Sequence, residues 1–306
     1  MDAIAPLIAA ALGAGTPLLL AAIGVLVHER TGVVNLGIEG MMLVAAIVAF
    51  AAVHATGSYT LGFAAGALAG AALAAVFALF ALGLHANQYA AGLALALFGG
   101  GLSSFLGLPY SGLSLPARGA DGIALLRDVP LLGPALFSLH PLAYAALLLA
   151  GAVAWFLFRT RAGLVLRAVG ESPAAAHALG YPVRAIRLAA LLFGGACAGL
   201  GGAFLATVYT PLWAEGMTAG RGWIALAVVV FATWRPARVV LGAYLFGGVT
   251  MLQLHLQGIG VQVASQLMSM TPYLATIVVL AVISRNPGWI RLNMPGSLGK
   301  PFDPNA

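Results

Sequence analysis

The first feature that can do chemistry is an acid inside an apolar run. Glu39 stands in His28-Glu29-Arg30-Thr31-Gly32-Val33-Val34-Asn35-Leu36-Gly37-Ile38-Glu39-Gly40-Met41-Met42. A charge at the centre of a membrane helix costs at least about 2.5 to 3.5 kcal/mol, so an acid kept there either lines a polar path or is held by buried hydrogen bonds. The spacing of Asn35 and Glu39 puts both on one helical face. Glycines at 32, 37 and 40 predict a tight or irregular helix start, tolerated at membrane depth only under a cover of protein or beside a water-filled cavity.

A second polar group, Asn87-Gln88-Tyr89, opens a later apolar run, and Gln253 and Gln257 lie near the outer end of another. Amides beside an aromatic ring can hydrogen-bond a base or sugar and stack on its face. They can equally satisfy one another between helices. Other chemistries are excluded. The single lysine, Lys300, is followed by Pro301, so no phosphate-binding loop of the G-x-x-x-x-G-K-[ST] type exists. Gly32 stands where a zinc protease helix beginning at His28-Glu29 would need its second histidine, and the six histidines show no ligand spacing. No metal site is expected. The lone cysteine, Cys197, reads as a packing thiol in a Gly/Ala-rich tract.

The elements that must position these groups are membrane helices. Of 306 residues, 62% are hydrophobic and 7% charged, against about 25% charged in a soluble domain; the mean hydropathy is +1.02. The formal charge of +6 comes from scattered single residues rather than a patch, which excludes nucleic-acid binding. The first residues lack the basic region of a cleaved signal peptide, so the first span is expected to remain in the mature protein. At about 20 residues per span, helices are expected near Ile4 to Val27, Leu36 to His54, Thr60 to Leu84, Tyr89 to Leu106, Leu139 to Phe158, Arg187 to Tyr209, Gly222 to Thr233, Val239 to His255 and Gln266 to Ser284. The fold class is therefore an all-α, polytopic membrane domain of about nine helices, between eight and ten, forming one unit over 1–306.

Lys and Arg collect in cytoplasmic loops. With the loop from Arg159 to Arg187 inside, alternation puts eleven basic residues inside and leaves Arg118, Arg127 and Arg221 outside, which predicts a cytoplasmic C-terminus. Small residues recur every fourth position, at Gly62, Gly66 and Gly70 and again at Gly195, Gly199 and Ala203. Such faces let helices approach closely in lipid, within this subunit or across a dimer.

The longest inside loop, about 161–187, contains Arg167-Ala168-Val169-Gly170-Glu171-Ser172-Pro173-Ala174-Ala175-Ala176-His177-Ala178-Leu179-Gly180. Glu171 or Ser172 can cap a helix, Pro173 suits its first position, the alanines propagate it and Gly180 ends it after about two turns. A rigid exposed helix of this kind suits docking in a groove on a partner, with Arg167 and Arg184 placed to pair with acids on the groove rim.

At these residues the chain resembles the inner-membrane permeases of ABC importers in the branched-chain amino acid, ribose and nucleoside group, and specifically their nucleoside or simple-sugar branch. The matching stretches are Glu29 to Met42, the Asn87-Gln88 helix start, Gly170 to Gly180, Tyr209 to Gly222 and the tail Leu298-Gly299-Lys300-Pro301-Phe302. The resemblance implies a multi-pass protein of the bacterial inner (plasma) membrane that binds no cofactor itself. ATP and Mg would be used by an ATP-binding subunit. A second, paralogous permease and an extracytoplasmic solute-binding protein or lipoprotein would complete the importer. It implies a solute path bordered by Asn35, Glu39, Asn87, Gln88, Trp213 and Glu215. It also implies that Arg167, Gly170, Glu171, Pro173, Ala175, Ala176 and Gly180 form the coupling element on the ATPase. Nucleosides are the expected solutes and simple sugars such as ribose the alternative; the mildly unusual Gln88-Tyr89-Ala90 leaves that choice open. A secondary transporter is the rival from another class, resting on Glu39 without a partner cation in the spans.

Overall fold

The computed structural model describes residues 4–116, 132–258 and 293–303, with isolated positions between 270 and 281. Among the described residues the chain is helical, with one isolated antiparallel bridge joining Ser114 and Leu212. The helices are α1 (Ile4–Glu29), α2 (Ile38–Thr56), α3 (Tyr59–Ala78), α4 (Gln88–Gly107), α5 (Leu132–Leu136), α6 (Pro141–Arg159), α7 (Arg161–Glu171), α8 (Pro173–Ala178), α9 (Val183–Phe204), α10 (Arg221–Phe231) and α11 (Pro236–Gly258). Seven of them, α1, α2, α3, α4, α6, α9 and α11, are long and apolar enough to cross a membrane, several with short 3-10 or π extensions.

The expected seventh span, at Gly222 to Thr233, is corrected. It is α10, 11 residues long, about 16 Å at 1.5 Å per residue and about half of a 30 Å hydrocarbon layer. The ninth, Gln266 to Ser284, lies outside the described residues apart from isolated positions, as do Arg118, Arg127, Arg285 and Arg291.

Helices α1 and α2 form the buried centre, where Leu19, Leu20, Ile23, Met41, Met42, Ile47 and Phe50 are almost wholly enclosed. In lipid, apolar burial gives little net drive, so close backbone packing must hold the helices together. The two small-residue faces supply it by meeting each other. A Cβ on Gly70 would overlap the Gly195 carbonyl, and one on Gly199 would overlap that of Gly66. Both stripes are thus used inside the subunit, between α3 and α9.

Polar side chains start the helices at one end of the bundle. Thr160 Oγ1 accepts the Gly163 amide at 3.0 Å to begin α7. Ser172, rather than Glu171, caps α8 by accepting the Ala175 amide at 3.3 Å. Glu171 closes α7, and Gly180 lies beyond α8 with φ of 86°. The expected capped loop helix is thus α8, and a helix not expected from the sequence, α7, precedes it and meets it at Ser172.

Candidate functional site: a carboxylate between two broken segments

Two irregular stretches enter the bundle from opposite ends and meet at Glu39. From the α7–α8 end, Val33, Val34 and Asn35 are buried while still outside α2. Their backbone finds partners from elsewhere: the Val34 amide donates to Gln88 Oε1 at 2.9 Å, and the Gly37 amide to Asn35 Oδ1 at 2.8 Å. From the other end, 210–220 descends along α4. Leu115 N donates to Pro211 O at 2.8 Å, the Trp213 indole covers Gly107, and Ser104 Oγ donates to Glu215 Oε1 at 2.9 Å. The descent turns through Gly216, Ala219 and Gly220, all with positive φ.

Glu39 joins the two. Its Oε1 accepts from Thr218 Oγ1 at 2.6 Å and from the Gly220 amide at 2.9 Å; its Oε2 accepts from the Gly222 amide at 2.6 Å. The last two donors are the N-cap residue and the second residue of α10, at a helix start whose amides lack helical partners and whose dipole favours a negative charge. The carboxylate thus caps a half-helix from a neighbouring segment. Gly222 permits the approach, since a Cβ there would lie 2.5 Å from Glu39 Cα.

The depth of this junction follows from α10 itself. Its far end is fixed by the Trp234 indole, which donates to Glu29 Oε2 at 2.6 Å, and by Arg30, whose Nη2 and Nε donate to the Trp234 carbonyl at 2.6 and 3.2 Å. Glu39 therefore sits about 16 Å along the bundle from Glu29 and Arg30. Arg30 is pushed down to about 10 by burial first and then by Arg167 and Arg235, and it remains a cation at neutral pH.

Asn35 and Glu39 do not share a helical face as expected. Asn35 precedes α2 and folds its amide back on Gly37, because its side chain competes well for local backbone donors. Asn87 caps α4, accepting from Tyr89 N at 2.9 Å and Ala90 N at 3.1 Å. Gln88 is buried and ties Val34 to the C-terminal tail, with Nε2 donating to Lys300 O at 3.4 Å. Trp213 is buried against Ile47, Phe50 and Leu115. Of the expected pathway residues, Asn87 and Glu215 are exposed, Glu215 beside Ser104 at the end of the bundle away from α7 and α8.

The loop residues form a small body of their own. Val169, Ala176 and Val183 make a separate core that Phe302 of the tail helps to close. Gly170 is buried, Pro173 half-buried and Ala175 exposed. Leu179 is 79% exposed and Tyr181 40% exposed. Arg167 lies over the Phe158 ring, 5.1 Å from its centroid. Arg184 reaches His85 Nε2 at 3.1 Å and Asp303 at 3.8 Å.

Sequence reasoning missed the tail's structural part and the buried Arg187, which was counted only as a loop charge. The one available signal was the small, turn-forming run Pro295-Gly296-Ser297, too common a pattern to assign partners.

The chain matches the family model of the branched-chain amino acid transport system / permease component over residues 7–284. It belongs to that permease family. The permease is 41% identical to the putative glucose ABC transporter permease protein TsgC13 of Haloferax volcanii, over 97% of both chains. It is 35% identical to the nucleoside ABC transporter permease protein NupC of Lactococcus lactis, over 87% of this chain and 88% of the relative. Identity to the guanosine ABC transporter permease protein NupQ of Bacillus subtilis is 31%, over 94% and 92%. No solved structure matches it. It is an integral membrane protein and a permease subunit of an ABC transporter, a family whose members work with ATPase and binding-protein partners.

Proposed function

We propose that this permease passes a nucleoside, handed over by an extracytoplasmic binding protein, through a path that opens at the junction of Glu39 with α10. The observation that carries the reading is the α7–α8 unit, a preformed body with its own core that turns Leu179, Tyr181 and Ala175 outward. Exposed apolar surface gathered at one place marks a protein contact, and a groove on a cytoplasmic ATP-binding subunit would cover Leu179, Tyr181 and Ala175. The same end of the bundle carries Arg159, Arg161, Arg167, Arg184, Arg235, Arg238 and Lys300, which supports placing it in the cytoplasm. A second, paralogous permease subunit, as the branch it resembles implies, completes the pore.

In this reading solute descends from the Glu215 and Ser104 side and meets the broken segments above Glu39. Movement of the α7–α8 unit with ATP binding shifts the segment leading to Glu39 and lets the solute by. Kinship with two relatives named for nucleosides or guanosine supports a nucleoside. The higher identity to a relative named for glucose favours a second reading, a simple-sugar permease. The two are separated by ATP hydrolysis in proteoliposomes holding the complete importer. Guanosine or another nucleoside is expected to stimulate hydrolysis only with binding protein present. Stimulation by glucose or ribose but by no nucleoside would replace the first reading with the second.

A further inference from the structure

Between the loop helices and the broken segment runs a chain of polar groups that neither docking nor solute passage explains. Arg187, in the first turns of α9, is 1% exposed. Its Nε donates to the Thr31 carbonyl at 3.1 Å and its Nη2 to Ser297 Oγ at 3.1 Å. Ser297 Oγ donates onward to the Gly170 carbonyl at 2.6 Å, and the Ser297 amide donates to the same oxygen at 3.0 Å. Gly170 is in the last turn of α7, and Thr31 opens the stretch that leads to Glu39.

Direct contact reinforces the link. A Cβ on Gly170 would overlap the Arg30 carbonyl, so α7 ends on the Arg30–Thr31 backbone without an intervening side chain. The tail holds both sides, since the Gly299 amide donates to Gly32 O at 3.0 Å while Phe302 packs against His177 of α8. Packed arrangements of this kind move between discrete states rather than deforming smoothly, so a shift at one end must be met at the other.

We propose that Arg187 and Ser297 are positioning residues that carry displacement of the α7–α8 unit to the Thr31–Glu39 segment. The inference rests on the reading that α8 seats on the ATPase. Arg187 is suited to the task because its planar fork holds two acceptors at once in a fixed geometry. Ser297 accepts from that fork while donating to α7, so loss of its hydroxyl interrupts the chain without removing a charge.

The test compares Arg187→Met and Ser297→Ala in the reconstituted complex with its ATP-binding subunits and binding protein. Both variants are expected to retain the ATPase on purification and to keep basal hydrolysis near the parental rate. Solute moved per ATP hydrolysed should fall by about tenfold, a typical size for coupling between sites. A cysteine at exposed Ala214 should change its labelling rate with ATP in the parent, and that response should vanish in Ser297→Ala. If Arg187→Met fails to fold, Ser297→Ala, which deletes one hydroxyl, decides alone. A parental transport-to-hydrolysis ratio in Ser297→Ala overturns the link. Leu179→Asp separates this failure from that of docking. If that variant binds the ATPase and transports normally, α8 is not the seat; if it loses the ATPase while Ser297→Ala behaves as the parent, only the link is wrong.

Discussion

The Glu39 carboxylate accepts the Gly222 amide at 2.6 Å, joining the second residue of α2 to the second residue of α10 across 183 positions of sequence. The helix that ends at Trp234 is thus fixed at its start by an acid from another segment. Exchange of one oxygen for an NH2 group in Glu39→Gln removes an acceptor where three donors converge. At least one buried donor then lacks a partner, at a cost of about 1–3 kcal/mol. We expect lower thermal stability with the complex still assembled, and strongly reduced uptake. Parental uptake and melting temperature together would remove Glu39 from both roles.

Contrasting glycine substitutions test helix packing. Gly199→Val should push α3 from α9 and prevent recovery of folded protein, because its Cβ has no room beside Gly66. Gly101→Ala faces open space and should leave yield and melting temperature unchanged or slightly raised. Size-exclusion profiles of the two variants read the difference, and normal folding of Gly199→Val would disprove the close packing.

At the loop, the Ala176 amide donates to Ser172 O at 3.0 Å and its methyl lies in the small core. Proline there deletes the bond and costs about 3 kcal/mol or more. Ala176→Pro should abolish transport and weaken recovery of the ATPase with the permease. Solute capture by the binding protein should be unaffected. Normal transport would reduce the loop to a connector.

The buried pair of Glu29 and Trp234 offers a double-mutant cycle. Trp234→Phe leaves the Glu29 carboxyl without its 2.6 Å donor and should cost about 1–3 kcal/mol beyond the small loss of ring volume. Adding Glu29→Leu removes the unpaired group and should recover part of that loss. A double variant less stable than Trp234→Phe would show that Glu29 has a further partner to lose.

Topology can be read at the shared end. Ser297 contacts Gly170, so cysteines at Ala174 and Pro301 must react from the same face of the membrane, and the basic residues there predict the cytoplasmic face. Labelling of the two from opposite faces would contradict the fold.

The seven long spans, the capped loop helix and the small-residue faces were legible in the sequence because each depends on local properties: length of apolar run, turn chemistry and four-residue spacing. The acid at Glu39 was legible as a costly group, since its expense in lipid is independent of where its partners lie. Tertiary structure decided what satisfies it. Thr218, Gly220 and Gly222 are about 180 positions away, and an Asx turn at Asn35 broke the helical register that spacing alone implied. It also decided that the apolar run at Gly222 to Thr233 forms a helix of 11 residues, because its first amides are capped by a buried acid from α2. Arg187 shows the limit most plainly: basic residues beside a loop are ordinarily solvated, and only folding, which brings Thr31 and Ser297 to the same point, makes its burial affordable.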